Sequence, residues 1–393
     1  MPDEPDVRAS GRTSIFANPP VTVLVLLVAV RVIVLVATLQ ADHSGPVKDD
    51  DVLRFGQIAT TAGTPYRDFQ VEYMPIELVT IRAIAGDGAS ATASRLALLS
   101  FTCDLAAAGA LWYGWGRRAA ALYLLIGLPL QTFMLYRIDP LVVALAAWSM
   151  ALANRDRDGP AGAMLALAVL SKLWPVVLLP WFLVSHRRRA TATFAIVAGS
   201  GLLVWVLLGG LRAPWQVLTF RGAGGWAVES TVGSVVWLAT GGPIRLEAGA
   251  VRTGSAPLWA RALLLGVIVA IVARIWTRLR DDDADPSGAP ALAAVTALVA
   301  LSPLFSIQYT CWLVPWIAIA VLGAKRERTT AAFGIAIVVL GGVLAVLYGN
   351  ATATIVGSIK LLLLLRNGVC VALVAYWLIT GSKRRTGPAA AVV

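Results

Sequence analysis

Charge is scarce in this chain. Only 14% of its 393 residues are charged, against 58% that are hydrophobic, and a soluble protein of that length needs far more charge at its surface. A water-soluble globular protein is therefore excluded. Histidine occurs twice and cysteine three times. His43 and His186 stand alone, and Cys103, Cys311 and Cys370 fall inside apolar runs without metal-ligand spacing. The sequence offers neither a metal centre nor a disulfide framework, and the cysteines read as packing residues. A Walker loop, a Gly-rich strand-turn-helix, H-E-x-x-H and G-x-S-x-G are also missing, which excludes nucleotide-driven chemistry on a soluble domain of this chain.

What is present is hydrocarbon. The mean hydropathy is +0.76, and apolar runs of roughly 18 to 22 residues recur, each long enough to cross a core of about 30 Å. The fold class expected is all-α, a polytopic transmembrane helical bundle of about twelve spans. Spans are placed near residues 20–40, 92–116, 119–136, 138–153, 190–211, 257–277, 290–306, 309–323, 331–349 and 355–380. The first reads as a retained signal anchor. Residues 1–19 and 383–393 are expected as cytoplasmic tails around one transmembrane domain, residues 20–382.

The stretch 160–185 is interrupted at Lys172 and Pro175, so it forms either one kinked span or a hairpin of two short ones. The apolar piece 74–87 either crosses or only dips into the membrane. The net charge of +11 decides between the pairs. Its basic residues cluster between apolar runs, at Arg117-Arg118, Arg155 with Arg157, Arg187–Arg189, Arg278 with Arg280, Lys325–Arg328 and Lys383–Arg385. A hairpin at 160–185 with a non-crossing 74–87 puts every cluster in the cytoplasm, which the positive-inside rule favours. The same rule accounts for the charge without nucleic acid. Residues 41–73 become the first outer loop under either topology.

That loop gathers acids beside a bilayer surface: Asp42, Asp49, Asp50, Asp51, Asp68 and Glu72. A solvated loop would explain charge alone. Turn chemistry in "TAGTPYRDF" and the aromatics Phe55, Tyr66, Phe69 and Tyr73 suggest more, because rings stack on sugar faces while carboxylates bind hydroxyls or take their protons. Lys172 within an apolar run costs about 2.5 to 3.5 kcal/mol at a bilayer centre. It either snorkels to an interface or lines a cavity at the Trp-Pro break, where a lipid phosphate would partner it. Asp139 is expected to cap the helix that begins at Pro140, a role that leaves Arg137 open to lipid phosphate. Arg221 in "FRGAGGW" could grip a phosphate in a fork, beside Glu229-Ser230. Gln308, Tyr309 and Trp312 begin another span, and Trp312 reads first as an interfacial belt residue.

These residues resemble the GT-C superfamily of membrane glycosyltransferases, and within it the actinobacterial polyprenyl-phosphate-mannose-dependent α-mannosyltransferases. The family pattern is an acid, an aromatic four residues on, then A-x-x-x-G-x-x-P-Y-x-D-F-x-x-E-Y-P-P. Asp51, Phe55, Ala59, Gly63, Pro65, Tyr66, Asp68, Phe69, Glu72, Tyr73 and Pro75 follow it, with Met74 in place of the first proline and Phe55 in place of tyrosine. Arg137 with Asp139, Lys172 with Pro175, Arg221-Gly222 with Glu229-Ser230, and Ser302-Pro303 through Ser306, Gln308 and Tyr309 match further pieces in order. The W-W-D signature of oligosaccharyltransferases is missing.

The resemblance implies an inverting transferase of the plasma membrane with its site facing outward. It implies a polyprenyl-phosphate sugar donor, with mannose as the sugar, and an envelope glycolipid or polysaccharide acceptor. Asp51 takes the place of the catalytic acid, with Asp50 as the alternative register. Tyr66, Asp68, Glu72, Tyr73, Arg137, Asp139, Lys172, Arg221, Glu229, Gln308 and Tyr309 are the implied substrate-binding residues. Phosphate is a good leaving group, so no cofactor is required. A transporter or flippase of lipid-linked sugar is the other class that the broken helices and cations suit.

Overall fold

The computed structural model describes residues 19–40, 50–219, 223–247, 249–279, 284–349 and 356–380. The chain is built from helices: α1 Val21–Gln40, α2 Asp50–Thr60, α3 Pro75–Ile84, α4 Ala89–Trp115, α5 Arg117–Ile126, α6 Gln131–Met134, α7 Asp139–Asn154, α8 Asp158–Ser171, α9 Leu179–Val184, α10 Arg188–Gly209 and α11 Arg212–Leu218. There follow α12 Thr231–Thr240, α13 Leu258–Arg278, α14 Ala289–Leu301, α15 Val314–Ala320, α16 Lys325–Gly349 and α17 Val356–Ile379. Short 3-10 helices at Leu128–Leu130, Trp174–Leu178 and Ile307–Leu313 precede α6, α9 and α15. A small antiparallel sheet is an addition to the expected all-α fold: β1 Trp226–Ala227, β2 Arg245–Glu247 and β3 Ala250–Thr253, ordered β1-β3-β2.

Six helices, α1, α4, α10, α13, α16 and α17, are long and apolar enough to cross a membrane, so this is an all-α membrane protein apart from that sheet. Other apolar helical segments are shorter. The expected span 119–136 is broken after Ile126 by Gly127 and Pro129, and the one at 309–323 opens as a 3-10 helix before Pro315. Helix α3, ten residues long, covers only about 15 Å and does not cross.

Side-chain contacts fix how the helices run. α1 is antiparallel to α4, since Leu35 packs on Ala97 while Arg31 reaches Asp104 at 2.6 Å. α8 and α10 are parallel: Gly162 lies against Ala190 and Gly201 against Leu170. The chain must therefore return between them. It does so through residues 172–187, which brings Arg187 back to Asp158 at 2.6 Å and to Asp156 at 3.2 Å. Residues 158–187 form a hairpin. On the same face Asn154 bonds Gly114, Arg155 bonds Tyr113 and Trp115 bonds Asp285. There too Arg326 lies 3.6 Å over the Trp377 ring and Arg278 donates to the Leu378 carbonyl. The basic clusters of the described residues thus share one face, because a cation that avoids the hydrocarbon core and its neighbours all resolve to one side.

Helix length shapes the other face. α4, 27 residues long, measures about 40 Å, whereas α7, α8 and α14, with 16, 14 and 13 residues, measure about 20 to 24 Å. Their ends are level on the basic face, so on the far face the short helices stop below the rim. Ser100 of α4 marks the depth: its hydroxyl donates to the Arg137 carbonyl at 2.5 Å, and α4 continues eleven residues, about 16 Å, beyond it. The bends at 135–139, 172–173 and 302–306 make a sunken floor. Helix α2 reaches down beside α4, packing Val52, Phe55 and Ile58 against Ala93 and Leu96.

Gly162 is what lets α8 and α10 touch, since a Cβ there would sit 2.0 Å from the Ala190 carbonyl oxygen. Gly162→Val is expected to destabilise the protein by about 1–3 kcal/mol or more. Gly199→Ala, on α10 with open space around it, is the control that should leave the melting temperature of detergent-purified protein unchanged.

Candidate active site

The floor of this recess carries charge of both signs. Asp51, in the first turn of α2, has its Oδ2 3.3 Å from Nη1 of Arg137, in the bend before α7. Arg137 also lies 4.6 Å over the ring of Phe133. Tyr73 borders the acid, its ring edge-on to Phe55 at 5.5 Å.

Lys172 is the next group along the floor. α8 ends at Ser171 and the chain turns extended at Lys172, which leaves the side chain at the helix break. Its ammonium lies 2.9 Å from Oδ1 of Asp139 and 3.7 Å from Oε1 of Glu77. Neither snorkelling nor an isolated buried charge describes it. Asp139 does not cap α7, contrary to the sequence expectation. It is the helix's first residue and makes no capping bond; its carboxylate takes Lys172 and the indole N–H of Trp312, at 2.7 Å. The charge of Lys172 outweighs an exposed backbone donor as a partner. Trp312 is likewise no belt residue. It is buried and stacked between Trp174 at 5.1 Å and Tyr309 at 4.0 Å, with the Lys172 ammonium 5.3 Å from the Tyr309 ring centre.

Glu77 escaped the sequence reading, hidden in the apolar piece "MPIELVTIR". Its side chain is 3% exposed, and Oε1 has no hydrogen-bond donor. Burial pushes the carboxyl up to about 7; Lys172 works against this, while Asp139 and Asp51 add to it. A charged residue inside an apolar run was the signal that could have found it.

Glu229 closes the far side. It precedes α12, which Ser230 caps through the Gly233 N–H, and its carboxylate accepts from Ile307 N at 3.2 Å. Burial holds it above the ordinary carboxylate value, against Arg366 and the Ser306 hydroxyl. Arg366 and Asn367 of α17 hold the Glu229 carbonyl at 2.5 and 3.2 Å. This pair, inside "LLLLLRNGVC", was also missed, as was the Arg31–Asp104–Tyr123 cluster between α1, α4 and α5. That cluster lines a cavity of about 40 Å³ behind Pro140.

The structure brings Asp51, Tyr73, Arg137, Asp139, Lys172, Glu229 and Tyr309 to the floor, with Gln308 half-buried beside them. Other expected residues build the loop above it. Asp68 accepts from Thr64 N at 2.6 Å and closes a turn at Gly63, whose φ of +105° and contact with Asp68 leave no room for a side chain. Tyr66 is buried, donates to the Tyr73 carbonyl and packs on Trp205. Glu72 is held by Arg54 through two bonds of 2.9 and 2.8 Å. Arg221 and the side chain of Asp50 lie outside the described residues.

Fold and floor together describe a polytopic helical membrane protein with a recessed site of carboxylates, cations and stacked rings. The family model of Glycosyltransferase family 87 matches residues 72–306. That is more than half of the chain, and the chain belongs to this family of glycosyltransferases. No curated protein matches it.

The two carboxylates of Lys172 should respond oppositely to neutralisation. Between about pH 4.5 and about 7, unfolded Glu77 is the more ionised, so the folded state loses stability as pH rises, by about 3 kcal/mol in all. Glu77→Gln is therefore expected to melt above wild type at pH 8 and together with it near pH 4.5. Asp139→Ala leaves the Trp312 N–H without its acceptor and Lys172 with only the looser Glu77 contact at 3.7 Å, and should cost about 3–5 kcal/mol. Thermal unfolding in detergent measures both.

Proposed function

We propose that the protein is an inverting glycosyltransferase of GT-C architecture, with about twelve membrane segments. It takes mannose from a polyprenyl-phosphate donor and passes it to an envelope glycolipid or polysaccharide. The observation that carries this reading is the pairing of Asp51 with Arg137 on a floor that also holds Lys172, about 16 Å below the end of α4. Cations facing carboxylates in such a recess suit a substrate that carries a phosphate next to a sugar. The clustering of basic residues on the opposite face supports a site that opens outward across the plasma membrane.

In this mechanism a carboxylate oxygen of Asp51 takes the proton of the acceptor hydroxyl. The acceptor oxygen attacks the anomeric carbon as the bond to the phosphate oxygen breaks, and its electron pair leaves with the polyprenyl phosphate. Attack on the face opposite the leaving group inverts the centre. Lys172 and Arg137 stabilise charge developing on the phosphate, with Arg221 as the expected third cation. Tyr309, Gln308 and Glu229 line the sugar's side. Phosphate competes with Asp51 for Arg137, so donor binding loosens the ion pair that holds the base and readies it for the proton. Tyr66, Asp68, Glu72 and Tyr73 contribute by holding α2 in register over the floor.

The test is transfer of radiolabelled mannose from polyprenyl-phosphate mannose to membrane glycolipid by purified protein in liposomes. Asp51→Asn is expected to lower transfer by about 10²–10⁴-fold, the range for loss of a general base, with donor affinity within a few-fold of wild type. Loss in Asp50→Asn instead would move the base by one residue. Label crossing the bilayer unaltered in wild type and Asp51→Asn alike would replace the transferase reading by transport.

A further inference from the structure

Lys172 is one ammonium flanked by two carboxylates, and the two are not equivalent. Asp139 is the engaged partner: its Oδ1 accepts from both Lys172 and Trp312. Glu77 is the looser partner, buried, with its Oε1 3.7 Å from the ammonium and no donor within hydrogen-bond distance of that oxygen. Lys172 keeps 20% of its side chain accessible.

The charges surrounding Glu77 come from every element packed on it. Lys172 approaches from the end of α8, Asp139 from the start of α7 and Asp51 from α2, with the phenols of Tyr66, Tyr73 and Tyr309 nearby. Arg54 of α2 is engaged by Glu72, Arg95 of α4 bonds the Ala85 carbonyl, and Arg82 lies in the last turn of α3 itself. Lys172 and Arg137 bring two positive charges to a floor with four carboxylates, Asp51, Glu77, Asp139 and Glu229, of which Glu229 also faces Arg366. A phosphate entering against Lys172 adds a further negative charge to a floor already net negative.

We propose that Glu77 is the proton-uptake site of donor binding: when a phosphodiester settles against Lys172, the Glu77 carboxylate takes one proton from solvent, and it returns that proton when the lipid phosphate leaves. This rests on the polyprenyl-phosphate reading of the same site. The carboxylate becomes a neutral carboxyl, Lys172 is freed to face the phosphate, and the net charge of the floor is unchanged by binding. Glu77 does not touch the reacting atoms; it is a positioning residue acting through Lys172. Its raised proton affinity in the unliganded site puts the exchange near neutral pH.

A phosphodiester keeps its single charge across neutral pH, so the donor contributes no titration of its own. Binding of polyprenyl-phosphate mannose to the full chain in lipid nanodiscs, followed calorimetrically between about pH 6 and about pH 9 in buffers of different ionisation enthalpy, reads both affinity and protons. In wild type the affinity is expected to fall about tenfold per pH unit above about pH 7, with nearly one proton taken up per donor at about pH 8. Glu77→Gln should bind with no such slope and no uptake. A slope in Glu77→Gln equal to that of wild type overturns the proposal, as does wild-type binding without proton uptake. The latter needs no variant and decides even if Glu77→Gln does not fold. Absence of donor binding at every pH overturns the donor reading and the coupling together, whereas binding without linkage overturns the coupling alone.

Discussion

The ion pair between Lys172 and Asp139 is the contact on which the far half of the molecule depends. α7, α8 and α14 are too short to reach the level of α4, so their ends and the bends between them lie at a depth where unpaired polar groups are costly. Asp139 starts one of these helices, Lys172 ends another, and Trp312 begins the run into α15. One carboxylate oxygen binds the other two at 2.9 and 2.7 Å. Without it the floor would hold an orphaned indole N–H and an ammonium left with Glu77 alone, and the bends would have no common centre. The stacked rings of Trp174, Trp312 and Tyr309 are held in line by the same pair.

A second division of labour runs through the first loop. Residues 61–74 look like a continuous patch of site chemistry, but most of their polar groups are consumed in holding the loop. Asp68 and Gly63 close the turn, Glu72 clamps Arg54, and Tyr66 ties into Trp205, with Gln216 donating to its carbonyl. The result is that α2 is held against α4 with its first turn pointing at the floor. Asp51 owes its position to that framework, and its partner Arg137 is placed by Ser100 of α4. In this arrangement most polar groups of the loop bond one another or the neighbouring helices, and few of them reach the floor.

Much of the architecture could be read from the chain alone. The length of apolar runs foretold the long helices, since each needs about 20 residues to span hydrocarbon. The basic clusters favoured a hairpin at 160–185 and a non-crossing 74–87, and Arg187 pairs with Asp156 and Asp158 across a hairpin of residues 158–187. What misled was local inference about single polar residues. Asp139 before a proline looks like a cap, and Trp312 at a helix start looks like a belt residue, because sequence neighbours were the only partners in view. The partners that decided both lie 33 and 173 residues from Asp139.

By itself, then, the sequence determined which segments are greasy enough to enter a membrane, where their charged ends lie and which short motifs mark the family. These are properties of residues within a turn or two of one another, and the transfer energy of a side chain acts wherever the fold puts it. Tertiary structure alone decided which charges meet. Glu77 sits in a short apolar run and Arg366 in one that reads as a plain span; each meets its charged neighbours only when helices from distant parts of the chain close over it. Electrostatic interaction in a low-dielectric interior depends on separations of a few ångströms, and no spacing along the chain encodes those.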